Sequence, residues 1–413
     1  MRNGTWDPTF DAERRHDARN VAPDLGALAG EGALQRVRAP ERGGDQRQLE
    51  SERPQRTPGE VVSAEAEGPS YYGLPVLKEP IWRWYIPAYF FTGGLSGACA
   101  VLGAAAQAAG GRGTEGLVRR CRVAATAGAA ASAGLLIADL GRPSRFLNML
   151  RVFRPTSPMN MGAWLLSEFG GEAALAALPV VWRGAPGWLV RAGDLAGYGA
   201  GILGLPLVGY TGVLIANTAV PVWQGTRNTL PILFAFSGAV SAGALLQLWP
   251  PRGFHLRRGR ARHAGARMTL RFGRFAKAAE LAVSFALDRE AAARAPRVAR
   301  PLHRGASGVM LQAARGLVAA SLLVDLLPRR GWRQRRALAI ASGALAMAGT
   351  LLLRFGVVQA GRASVRDPHA TFEMQRRGRG GTEEAKNRGV ARMPSLPGVA
   401  ATGKESSVAG PGV

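Results

Sequence analysis

Residues 85–109 read YIPAYFFTGGLSGACAVLGAAAQAA, a run without a formal charge and dense in small apolar side chains. A helix of about 20 apolar residues crosses the roughly 30 Å of hydrocarbon in a bilayer. Its backbone hydrogen bonds close within the segment, as that solvent requires. Gly93, Gly94, Ser96, Gly97, Ala98 and Ala100 leave room for another helix or a flat ligand to approach closely. Working outward, comparable runs recur at about 117–139, 160–181, 195–219, 229–249, 307–327 and 337–358, the last carrying Arg354 near its end. A further run, FAKAAELAVSFAL at 275–287, is shorter and includes Lys277 and Glu280, so it is expected to lie against other helices rather than lipid. The pattern predicts an all-α polytopic membrane protein of about eight transmembrane helices. Phe91-Thr-Gly-Gly-Leu-Ser-Gly in the first run is echoed by Phe236-Ser-Gly-Ala-Val-Ser-Ala in the fifth, which two related four-helix bundles would explain.

The 413 residues carry a formal net charge of +25, and 47% of them are hydrophobic. The Arg residues lie mainly at span ends, between spans and in the tails, a distribution that orients a membrane protein and argues against nucleic-acid binding. Residues 1–70, rich in Arg, Glu, Asp, Gln and Gly, read as a disordered polar tail without a signal peptide. An alternative start at Val61 or Val62 would leave the residues before it untranslated. The membrane domain is expected over 71–362, with 363–413 a second polar, mostly disordered tail. Loops on the side of the termini (140–158, 220–228 and 291–306) hold nine Arg, and the opposite loops (110–122, 182–194, 251–274 and 329–336) hold nineteen. Basic loops stay on the cytoplasmic side. In the cytoplasmic (inner) membrane, both termini are therefore expected outside the cytoplasm.

Between the second and third runs lies DLGRPSRFLNMLRVFRPTSPMNM, residues 139–161. Arg145, Asn148, Arg151 and Arg154 are spaced by three, and Phe146, Leu147, Met149, Leu150, Val152 and Phe153 fill the other side. The stretch is expected to form a short amphipathic helix lying flat at the membrane surface, with Pro143 in its first turn and Pro155 ending it. Arg145, Arg151 and Arg154 are assigned to lipid headgroups or to the acidic surface of a partner.

A membrane-embedded haem needs inward-facing axial ligands, and none of His16, His255, His263, His303 and His369 falls within these apolar runs. Cys99 and Cys121 are too few to hold an iron–sulfur cluster and lack CxxC spacing. No bound metal or redox centre is therefore expected. Ionisable residues at membrane depth are costly and point to function. Here they are Glu168 and Glu172, four apart on one face, with Glu280, Asp139, Asp325 and Arg354. Glu168, Glu172 and Glu280 are candidates for a proton route; pairing that only fixes helix packing is the alternative for each. Trp82, Trp84 and Trp223 suit interfacial anchoring. Tyr210 suits a hydrogen bond to a ligand carbonyl or to a neighbouring backbone.

YYGLP at 71–75, IWRWYIPAYFFTGGLSG at 81–97, DLGRPSRFLNMLRVFRPTSPM at 139–159, VPVWQGTRNTLP at 220–231 and RFGVVQAGRASVRDP at 354–368 resemble, in order, the NrfD/PsrC family. These are integral membrane subunits of polysulfide-reductase-like and nitrite-reductase-associated complexes. The resemblance implies a quinone-reactive subunit of eight spans without haem, not catalytic alone. It would exchange electrons between membrane menaquinone or ubiquinone, an exchangeable ligand, and a ferredoxin-like iron–sulfur partner serving a molybdopterin oxidoreductase. A quinone brings two-electron chemistry, and the protein positions the ring, hydrogen-bonds its carbonyls and moves protons. On this resemblance the ring is expected near the outer face, between the segment from Tyr72 through Trp82 to Tyr89, the end of the second span and the outer half of the fourth. Tyr210 resembles the family's ring-contacting tyrosine. Asp139 is the candidate for proton exchange, and Arg142 would steady it or the ring. Val76, Lys78, Glu79 and Trp82 stand where some relatives carry Asn and His. A proton-translocating subunit and a passive membrane anchor are the alternatives.

Overall fold

A computed structural model describes residues 20–22, 27–29, 77–110, 113–140, 144, 146–182, 184–249, 263–328 and 331–377. The chain divides into two compact units, 1–68 and 69–413. In the first, β1 (Asn20–Ala22) and β2 (Ala27–Ala29) pair antiparallel, Val21 opposite Leu28. The rest of the polar tail expected at 1–70 lies outside the described residues.

The second unit is helical. Its elements are α1 (Tyr85–Ala108), α2 (Glu115–Asp139), the single turn α3 (Phe146–Met149), α4 (Pro158–Val181), α5 (Gly187–Ala216), the short α6 (Pro221–Gly225), α7 (Leu230–Leu248), α8 (His263–Arg294), the short α9 (Pro296–His303), α10 (Gly305–Leu326), α11 (Trp332–Val365) and α12 (Pro368–Arg377). Among the described residues seven helices, α1, α2, α4, α5, α7, α10 and α11, are long and apolar enough to cross a membrane. The chain is an all-α, multi-pass membrane protein. Helix α8 is longer than most of these but richer in charge. Its Lys277 and Glu280 are 0% and 2% exposed, turned into the protein where a charge can find partners.

Local chemistry sets the helix ends. Pro158 stands in the first turn of α4 and Pro231 in that of α7, where no N–H is needed. Three helices run further than the apolar pattern predicts, α5 beginning at Gly187 rather than near 195. Helix α8 begins at His263 and takes in Arg267, Arg271 and Arg274 from the stretch read as a basic loop; Arg274 donates to the Asp325 carbonyl of α10. Helix α11 continues to Val365, so Arg354 sits well inside it, buried, rather than near its end. Packing holds the extra turns: a Cβ on Gly361 would collide with the buried Trp223 indole of α6, and Ser364 and Val365 are buried. With α12 following, ordered helix extends past the boundary expected at 362.

The amphipathic helix expected across 145–154 is corrected to the single turn α3. The reason is Asn160, in the first turn of α4. Its Nδ2 donates to the carbonyls of Met149 at 2.7 Å and Val152 at 2.9 Å, and its Oδ1 accepts from the Arg154 N–H at 2.6 Å. The Met149 carbonyl and the Arg154 N–H, both of which a helix to 154 would bond internally, are claimed by this one side chain, so Arg151 and Arg154 lie outside any helix. Ser157 caps α4, its Oγ accepting from the Asn160 N–H.

The long helices close into two rings, α1–α2–α4–α5 and α7–α8–α10–α11, each helix packing on the next and the last on the first. The rings meet along α1 and α7, the two helices that carry the Phe91 and Phe236 echo. There the backbones touch at glycine: a Cβ on Gly238 would stand 2.8 Å from the Gly94 carbonyl oxygen. Helices α1 and α5 approach as closely, a Cβ on Gly97 falling 2.9 Å from the Gly204 carbonyl oxygen. Small residues admit such crossings, which supply the dispersion contacts that hold helices together in lipid.

Each ring is also tied by one polar node that draws on all four of its helices. In the first, Arg122 of α2 pairs with Asp194 of α5 at 2.6 Å and donates to Gln107 of α1 at 2.8 Å and to the Ala176 carbonyl of α4 at 3.4 Å. In the second, Lys277 of α8 pairs with Asp325 of α10 at 2.7 Å and donates to Ser342 of α11 at 2.8 Å, while Gln247 of α7 reaches the Asp325 carboxylate at 3.4 Å. Both nodes lie toward the end where α1 finishes, the far end; the near end is where α1 begins and α11 finishes.

Candidate functional site

The near end of the first ring gathers the residues suited to a flat polar ligand. Helices α1 and α4 begin there, and α2 and α5 finish there. Tyr89 lies in the second turn of α1, Gly162 in that of α4, Asp139 at the last position of α2, and Tyr210 about two turns from the end of α5.

Tyr210 rests on bare backbone. A Cβ on Gly162 would collide with its ring and its hydroxyl. The hydroxyl oxygen is buried beside the Gly162 backbone but makes no hydrogen bond of ordinary geometry, and neither does the Thr211 hydroxyl. Tyr89 is buried and is the neighbouring titratable side chain to Tyr210. Its ring tilts at 54° on Phe90, 5.7 Å away. Next to it the hydroxyls of Thr92 and Ser132, 2.8 Å apart, join α1 to α2.

Asp139 is exposed, and the charged group acting on it is Arg83, in the approach to α1. Sequence reasoning passed over Arg83, although IWRW at 81–84 places a cation among interfacial aromatics. Gly162 was missed too, because a helical glycine carries no signal for what lies on it. Tyr72, Arg142 and Arg145 lie outside the described residues.

Trp82 belongs to the seam between the rings. It stacks on Trp223 with centroids 5.2 Å apart and planes at 10°, and meets Phe90 edge-on at 6.0 Å. Its carbonyl accepts from Arg362, and Trp223 Nε1 donates to the Val357 carbonyl at 2.9 Å. The three proton-route candidates are not brought together. Glu168 is exposed on α4, Glu172 lies against Gly199 of α5, and Glu280 is buried in the second ring. Arg151 and Arg154 are exposed at the near end beside Val152 and Phe153, each 58% exposed. Among the described residues no three His, Cys, Asp or Glu side chains gather as a metal site.

The family model for the polysulphide reductase NrfD matches residues 76–366. The chain belongs to this family. NrfD proteins are membrane subunits of quinone-interacting oxidoreductase complexes, and in general they partner with iron–sulfur and molybdopterin subunits. No curated protein is matched by the chain. The NrfD region is tied end to end: Arg366 makes a bidentate pair with Glu79, at 2.9 and 3.0 Å. That hydrogen-bonded pairing with Glu79 raises the Arg366 pKa further.

Proposed function

We propose that this chain exchanges electrons between membrane quinone and an iron–sulfur partner of a molybdopterin-type oxidoreductase, binding the ring at the near end of the first ring of helices. The observation that supports this siting is the Tyr210 hydroxyl, buried on the bare backbone of Gly162 without a hydrogen bond of ordinary geometry. Leaving a hydroxyl in that state costs about 1–3 kcal/mol, a cost that a ligand carbonyl accepting from it removes. A quinone supplies the two-electron chemistry when bound. Tyr210 would donate its O–H to a ring carbonyl, and Tyr89 would form the apolar wall beside it. The missing Cβ of Gly162 leaves space for the Tyr210 ring, which seats the hydroxyl against the α4 backbone. Asp139, exposed at the rim beside Arg83, would pass protons between the site and water. The exposed Arg151 and Arg154, with Val152 and Phe153, suit contact with an iron–sulfur partner or with lipid headgroups. The loop charges support placing this end outside the cytoplasm, in the cytoplasmic membrane.

The test is quinol-dependent reduction of the iron–sulfur centres in the complex purified with its native partners. Asp139→Asn and Tyr210→Phe should each lower the rate about tenfold or more with the complex intact. Unchanged rates in both remove the site. Absence of quinol reactivity in the wild type favours a passive anchor.

A second reading, proton movement across the membrane, is favoured by the interior of the second ring. Glu280 Oε2, Ser237 Oγ, Arg354 Nε and Nη1, Gln247 Oε1 and Arg274 Nε are buried without hydrogen bonds of ordinary geometry. Glu280 interacts with Arg354 and Lys277 and lies against Ser237. Groups of this kind order water at membrane depth. In proteoliposomes, Glu280→Gln should abolish proton transfer across the membrane beyond the two protons that each quinol oxidation releases at its own site, while quinol oxidation persists; transmembrane transfer equal to wild type excludes this route.

A further inference from the structure

A groove of about 440 Å³ opens between α1 and α8 at the far end. Its α1 wall is Val101, Leu102 and Ala105, three residues from the helix end. The α8 wall presents Met268 and Phe272 together with Arg267 and Arg271, which are four apart and so share one face. The floor is continuous with the small apolar cluster of Leu102, Leu117 and Leu246. Arg267 and Arg271 are exposed and have no carboxylate partner among the described residues. Three other cations of this end are engaged by backbone carbonyls. Arg120 donates to the Leu246 and Trp249 carbonyls, Arg336 to those of Gln247 and Leu248, and Arg274 to that of Asp325.

We propose that this groove is a binding site for one anionic phospholipid, its phosphate held by Arg267 and Arg271 and an acyl chain lying along Val101, Leu102 and Ala105. The depth matches such a ligand. Ala105 lies about 5 Å below the end of α1, at the level where acyl chains give way to headgroups. Two guanidiniums side by side supply the charge and the forked donors that a phosphate diester accepts. Apolar walls on both helices supply the hydrocarbon contact, and basic pockets between membrane helices bind anionic headgroups on this principle. Among the described helices α8 is the long one whose composition falls short of a membrane span. A lipid seated here would give its charged amino-terminal half an apolar and anionic neighbour where a protein helix is missing.

The test uses the purified full chain in a neutral detergent, delipidated and then supplied with phosphatidylglycerol, phosphatidylcholine or inorganic phosphate. The expected result is retention of one phosphatidylglycerol per chain by native mass spectrometry and a Tm higher by about 3 °C or more. Phosphatidylcholine and inorganic phosphate should give neither. Arg267→Ala/Arg271→Ala should lose both responses, and Arg267→Lys/Arg271→Lys should keep most of them. Ala105→Trp, which fills the exposed groove while leaving both arginines, should also lose them, and it decides the matter if the double alanine variant fails to fold. Responses unchanged in Ala105→Trp overturn the proposal. An equal response to phosphatidylcholine, or to inorganic phosphate, overturns it as well, the latter reducing the site to a bare anion contact.

Discussion

Replacing Lys277 by Met should destabilise the protein by about 4 kcal/mol. Both members of the Lys277–Asp325 pair are 0% exposed in their side chains, with Nζ 2.7 Å from the carboxylate and 2.8 Å from Ser342 Oγ. Methionine preserves the length and apolar stem of lysine and removes only the ammonium, so the fully buried carboxylate loses the cation that pairs with it. Gln247 at 3.4 Å is a weak substitute. Breaking a buried pair from one side costs about 3–5 kcal/mol. The cost has a ceiling, because a stranded carboxylate escapes by taking up a proton, which from the reference carboxyl value requires about 4 kcal/mol at pH 7. Lys277→Met/Asp325→Leu removes both charges and should return to within about 1 kcal/mol of wild type. Arg122→Met is the comparator. Its partner Asp194 is 51% exposed in its side chain, so water replaces the lost cation and the expected cost is about 1 kcal/mol. Unfolding by heat or by increasing dodecyl sulfate in mixed micelles reads all four proteins. A Lys277→Met loss no larger than that of Arg122→Met would refute the argument, as would a double variant no more stable than the single one. Either result would mean that the node is hydrated.

Two further outcomes follow from the near end. Gly162→Ala places a methyl where the Tyr210 ring and hydroxyl lie, so quinol-dependent reduction should fall about tenfold, as for Tyr210→Phe, while the melting temperature of the assembled complex changes little; full activity would show that Tyr210 takes no part. Asn160→Ala deletes three hydrogen bonds, each worth about 1 kcal/mol, so amide exchange over 149–157 should speed up by about two orders of magnitude with α4 itself still protected. Exchange as slow as in the wild type would mean that the exposed loop holds its shape without that side chain.

The membrane spans were legible because their signal is a sum over some twenty residues in one solvent. The run at 85–109 and helix α1 agree to within a residue, and α2, α4 and α7 to within about two. What could not be read were features set by a distant contact. Apolar periodicity says that Arg354 is expensive, but not that α11 continues beyond it on account of Trp223 beneath Gly361. The arginine spacing at 145–154 reads as a helical stripe because Asn160, which takes its carbonyls, lies outside the window that defines the period. The same holds for the candidate site. Tyr210, Tyr89 and Asp139 were identifiable from residue type and from a family resemblance. Gly162 and Arg83 were not, because one matters through an absent side chain and the other through a neighbour that the topology supplies.

The two rings share a frame and spend it differently. In ring order α1 corresponds to α7 and α2 to α8. The first helix of each ring contributes a glutamine (Gln107, Gln247), and the second contributes the cation (Arg122, Lys277). The aspartate departs from the pattern, lying on the fourth helix of the first ring and the third of the second. Both nodes draw on four helices, and both lie toward the far end. Fixing each ring there leaves the near end free of the requirement to hold the bundle together. Tyr210 can then keep a buried hydroxyl without an ordinary hydrogen bond, forfeiting about 1–3 kcal/mol, because the node and the close glycine crossing of α1 and α5 hold the first ring elsewhere. A site that must release its own polar groups to an exchangeable ligand needs that arrangement. The first ring therefore has stability at one end and unmet hydrogen-bonding capacity at the other, which is why the ligand is assigned to the near end of the first ring and not to its node.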